Sequence, residues 1–154
     1  MTEIARIARL FQQVIEGSPY YGPSTFAALK DITADKAIIK PAWSAHSIWD
    51  LVNHITAELQ YAIRILEKTA EPWVAGQTTW PVQTDLSEAA WQKSLQDLKK
   101  VSRKLMQAIS KLDDSILDQQ AYYVECPNYF MLQGTLQHII FHTGQISLLT
   151  GQFQ

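Results

Sequence analysis

The chain has 154 residues, a formal charge of −2 and one cysteine, Cys126, which rules out an intramolecular disulfide and leaves length enough for one core. So balanced a charge gives no basic footprint for nucleic acid or an anionic membrane surface. The charged start MTEIARIARLFQQVIE lacks a signal-peptide apolar block, and no apolar run nears the roughly 18 residues of a membrane span, pointing to one soluble, cytoplasmic domain over residues 1–154.

Helical periodicity marks four long segments. The first runs from about Thr2 to Glu16, with Ile4, Ile7, Ala8, Phe11, Val14 and Ile15 on one side. Thr2 suits its cap, and Gly17 the left-handed position after its end. Pro19, Gly22, Pro23 and Pro41 punctuate the next stretch, whose TFAALKDI portion predicts a short extra helix. The second long helix is expected from near Ser44 to near Lys68, with Ile48, Leu51, Val52, Ile55, Leu59, Ala62 and Leu66 as its stripe. His54 sits at the edge of that stripe, with Asp50, Glu58 and Tyr61 at helical spacing.

After the loop EPWVAGQTTWPVQTD, Asp85 with Glu88 reads as a capping box opening a third helix, about Leu86 to Leu112. Trp91, Leu95, Leu98, Leu105, Ile109 and Leu112 face its core. An irregular segment from about Asp113 to Asn128 carries Tyr122, Tyr123, Cys126 and Pro127. The fourth helix runs on to about Thr150, nearly encircled by Leu132, Leu136, Ile139, Ile140, Phe141, Ile146 and Leu148. A helix so apolar is covered by more than one neighbour, inside a bundle or in a subunit interface. Four amphipathic helices without strand alternation make an all-α four-helix bundle the economical architecture. The excess apolar circumference of the last helix predicts a homodimer.

His138 and His142 share the run LQGTLQHIIFHTGQISLL. On a helix their spacing turns about 40° and climbs about 6 Å, so both rings leave one face. Two neutral imidazoles in an apolar helix are costly unless something ligates or hydrogen-bonds them. The bland alternative is a pair of core histidines, each satisfied by one hydrogen bond. With His54 brought in from the second helix, three imidazoles make a facial metal site with open positions, suited to Zn, Ni or Fe as divalent ions. Other metal motifs are missing. Ile139 stands where a HExxH protease needs its glutamate, and no Glu-x-x-His occurs, against a ferritin-like di-iron site.

His46 lies about 12 Å from His54 along a continuous helix, too far to share an ion if both are helical, and reads as a cap or mouth residue. Asp50 or Glu58 serves as an acceptor behind a ligand or as a general base, Glu58 being the catalytic candidate, unless both form a solvated edge. Gln145 either bonds near the site or finishes its helix face. Cys126 is a candidate nucleophile or extra ligand, but a lone cysteine before proline is more often structural. Trp73, Trp80, Tyr122, Tyr123, Tyr129 and Phe130 either line an apolar mouth over the ion or plug the ends of the bundle.

The stretches HSIWDLVNH (46–54) and LQHIIFHTGQISLL (136–149), with the looser DITADKAIIKP, resemble the DinB-like (YfiT-like) family of metal-dependent helical proteins over most of the chain. The resemblance implies a four-helix bundle with long crossover connections, often dimeric, that binds a divalent metal through three histidines. His54, His138 and His142 match those ligands. Characterised relatives include thiol-dependent S-transferases and a thiol-dependent isomerase, which implies a small-molecule substrate and a low-molecular-weight thiol. An open position on the ion would then activate a thiol or water for transfer or hydrolysis. The competing expectation is a non-catalytic helical dimer, stress-related or structural, that binds metal.

Overall fold

The first helix, α1 (Glu3–Ile15), buries Ile4, Ile7, Phe11, Val14 and Ile15, the face its periodicity predicts. The computed structural model describes residues 1–72 and 77–153, and these are all-helical, with no strand among them beyond an isolated bridge between Gln120 and Pro127. Thr2 caps α1 by accepting from the Ala5 N–H at 3.2 Å. A second cap comes from far along the chain: the Asp114 carboxylate accepts from the N–H groups of Glu3 and Ile4, each at 2.9 Å. Asp114→Ala is expected to cost roughly 1 kcal/mol, the usual worth of a helix cap, read as a lower urea midpoint at unchanged slope.

Gly17 does not take the left-handed conformation expected of it. Its N–H instead bonds to the carbonyls of Gln12 and Gln13 at 3.0 and 3.1 Å. Glycine is needed there for space, since a Cβ would lie 2.8 Å from Gln13 Cα. The left-handed turn appears after another helix, at Lys68 (φ 56°).

The short helix predicted over TFAALKDI is only its first half, α2 (Thr25–Ala28), ending before Asp31 at φ 61°, and a further short helix, α3 (Ala34–Ala37), lies beyond the predicted stretch. α4 (Ile48–Leu66) begins four residues beyond the expected Ser44. Ser47 sets that start, because its hydroxyl accepts from the Asp50 N–H at 3.1 Å while the Asp50 carboxylate accepts from the Ser47 N–H at 2.9 Å.

The capping box expected at Asp85 and Glu88 does not form. Ser87 caps α5 (Glu88–Ser110), and the Glu88 carboxylate reaches across to accept the Ala34 N–H of α3 at 2.7 Å. α3 has no side-chain cap of its own. Beside it, the Trp91 indole N–H donates to the Ile32 carbonyl at 2.7 Å. One helix thus closes the start of another.

The last long helix, α6 (Asn128–Thr150), ends near the expected residue. α1 and α4 each pack against both α5 and α6, while α2 lies on α6 and α3 on α4 and α5. Trp49 and Trp91 meet edge to face at 5.2 Å in the core, and the Trp49 N–H is satisfied by Ser94 Oγ at 2.9 Å.

Leu132, Leu136, Ile139, Ile146 and Leu149 of α6 are buried, but Phe130, Phe141 and Leu148 stay 68, 62 and 66% exposed. With Gly134, Gln137 and Gly144 they form a charge-free stripe along one face, spaced alternately four and three residues apart. No helix among the described residues is long and apolar enough to cross a membrane.

Candidate metal centre

The packing of α4 on α6 brings the three predicted histidines together. His138 Nε2 lies 2.9 Å from His54 Nε2 and 3.1 Å from His142 Nε2. One ligand nitrogen from each ring falls within 4.8 Å of the others. His54 and His142 are only 3 and 4% exposed, and His138 is half-buried.

The outer nitrogens determine what the inner ones carry. His54 Nδ1 is 3.0 Å from the Thr79 carbonyl, which only accepts, so the proton sits on Nδ1 and the neutral ring presents a lone pair at Nε2. His142 Nδ1 meets Gln145 Oε1 at 2.5 Å, and with the amide oxygen assigned inward the same tautomer follows. His138 Nε2 can donate one proton to one of these lone pairs, leaving the other uncompensated. A divalent cation satisfies all three at once. Cation–nitrogen distances of about 2.0–2.1 Å place neighbouring ligand nitrogens about 2.9–3.4 Å apart, so the two short contacts fit that donor set.

Electrostatics favours the same reading. Burial pushes His142 down to about 4, against an opposing pull from the Gln145 hydrogen bond. Burial also lowers His138, while the Glu58 charge raises it in part. Both rings are therefore held neutral, the form that ligates.

Glu58 and His138 border a cavity of about 240 Å³, with Ile55, Gly134, Thr135 and Ile139. Asp50, the other expected carboxylate, is taken up by the α4 capping box and is not an acceptor for His54. That second-layer role belongs to the Thr79 backbone carbonyl, which no side-chain pattern could announce. Gln145 does bond at the site, as one of its two readings had it. His46 lies outside α4 and stacks on Trp80, with ring centres 3.7 Å apart, while the other face of Trp80 lies on His54 at 3.8 Å. It does not cap α4, whose N-cap is Ser47.

Of the other aromatics, Tyr122 and Tyr123 pack on each other, Tyr129 and Phe130 are exposed at the start of α6, and Trp73 lies outside the described residues. Cys126 packs partly against the core and is not one of the converging side chains. A larger groove of about 970 Å³ between α4 and α5 is lined by Arg64, Lys99, Lys100, Arg103 and Lys104 and contains none of the histidines. Glu67 lies 3.2 Å from Lys104, and Glu16 about 4 Å from Lys99 and Arg103, so this is a solvated charged face.

The chain matches no family model, and no curated protein matches it in sequence.

Proposed function

We propose that this is a soluble, cytoplasmic, divalent-metal-dependent enzyme of the DinB-like kind, a four-helix bundle with a long crossover connection. His54, His138 and His142 hold the ion, with Zn, Ni and Fe as candidates. The observation that carries this reading is the convergence of three Nε2 atoms with two of the opposite nitrogens tied to oxygen acceptors. An ion bound there would supply Lewis acidity that lowers the pKa of a thiol or water.

The chain's own groups do the rest. Thr79 and Gln145 fix two of the rings, and Glu58 stands at the cavity beside His138 to accept the S–H or O–H proton. The sulfur or oxygen then forms a bond to an electrophilic small molecule, whose leaving group departs with its electron pair. A low-molecular-weight thiol makes this an S-transferase, and water makes it a hydrolase. Glu58→Gln is expected to slow turnover by about 10²- to 10⁴-fold and to leave metal affinity nearly intact. A screen of metal-loaded protein with several thiols and water against a panel of electrophiles tests the activity. Failure of every nucleophile would leave the second reading, a non-catalytic metal-binding dimer.

The exposed stripe of α6 favours a homodimer under either reading. Sedimentation at micromolar concentration should show two copies, and Phe141→Lys should separate them. A monomeric wild-type protein would overturn the assembly without touching the metal site.

A further inference from the structure

Two consecutive loop residues control one ring. The Thr79 carbonyl holds the edge of His54 at 3.0 Å, and the Trp80 indole lies flat on its face, with ring centres 3.8 Å apart and planes within 3°. On the far side of the indole the His46 ring is parallel within 11° at 3.7 Å, so His46, Trp80 and His54 form one stack. The hydrogen bond sets where the Nδ1 edge points, and the stack sets the plane in which Nε2 reaches toward His138. His142 is served differently, by Gln145 on its own helix.

An imidazole that gives its lone pair to a divalent cation becomes electron-poor, while an indole face is electron-rich. A flat stack between them strengthens when the cation binds. We infer that Trp80 is a positioning residue of the metal centre, whose indole face holds His54 in its ligating plane and adds directly to affinity for the cation. The inference rests on the reading that the three histidines bind metal. It carries a further meaning for the loop: by reciprocity, an ion held more tightly with Trp80 in place also holds Trp80 in place.

The test is Zn²⁺ affinity at pH 7, by competition with a chromophoric chelator, in wild type, Trp80→Phe and Trp80→Leu. Loss of an outer-layer partner weakens metal binding by about 10- to 100-fold, and that is expected of Trp80→Leu, which fills space without a π face. Trp80→Phe keeps a π face and should stay within about threefold of wild type. Ni²⁺ should quench a component of tryptophan emission that Trp80→Phe lacks while still binding the ion. Circular dichroism verifies the fold, and Trp80→Met, whose flexible thioether fills similar space, replaces the leucine variant if that one does not fold. Wild-type affinity in the leucine or methionine variant would overturn the role of Trp80 and leave the metal site standing. Equal weakening in the phenylalanine variant would overturn the π-face contribution. Wild-type protein that binds no Zn²⁺ would sink the metal site itself.

Discussion

Alanine at His54, His138 or His142 is expected to lower affinity for Zn²⁺ by about a hundredfold or more, on the order of the largest outer-layer effects or beyond, whereas His46→Ala should stay within a few fold. Each of the first three changes removes one of three converging nitrogens, and two imidazoles leave the cation short of a facial set. His46 supplies no nitrogen to that set; its ring lies against the outer face of Trp80. The helices should survive, because Leu51, Ile55, Ile139 and Ile146 keep α4 and α6 anchored in the core. Metal content of protein purified without added metal, with a competition titration at fixed pH, gives the answer. Full occupancy in both the His138→Ala and His142→Ala proteins would remove the site.

The metal-free protein should lose roughly 3 kcal/mol of stability from His142 as pH falls from about 6.5 to about 4. Its folded pKa of about 4 lies below the unfolded value of about 6.5. Between them the unfolded chain binds a proton that the native one refuses. The contribution is complete above the unfolded value, declines as pH drops, and is fully lost below the folded one. His138 acts in the same direction. Urea midpoints at pH 7, 5.5 and 4.5 in chelator should show the decline, and His142→Gln should flatten it. A midpoint independent of pH in the wild-type protein would contradict the buried neutral imidazole. The same depression lowers the pH at which protons compete with a metal for the His138 and His142 nitrogens.

The histidine site was legible because its parts are local. A four-residue separation on an apolar helix places His138 and His142 together, and the stripe around His54 aims it inward. What supports them was harder to read. Thr79 contributes a backbone carbonyl, which has no residue signature, and Trp80 was one of six aromatics with equal claim to the mouth. Asp50 and Glu58 flank His54 symmetrically in sequence, but Ser47 lies three residues before Asp50 and claims it for the cap. Asp85 and Glu88 satisfy a capping pattern, yet Ala34 offers Glu88 a partner that only tertiary packing brings near. The four long helices followed from periodicity, while the starts of α1, α4 and α5 were decided by individual hydroxyls and carboxylates.

Those carboxylates also bear on the order in which the chain takes shape. The Ala34 amide waits for a partner 54 positions later, and the amides of Glu3 and Ile4 wait for one more than a hundred positions later. As the chain leaves the ribosome from its N-terminus, α1 and α3 emerge with their first turns incompletely held. They are finished only when the later half of the protein folds back on them. Folding of the early helices is therefore sealed from behind, and their first turns should be among the last parts to gain lasting protection from solvent.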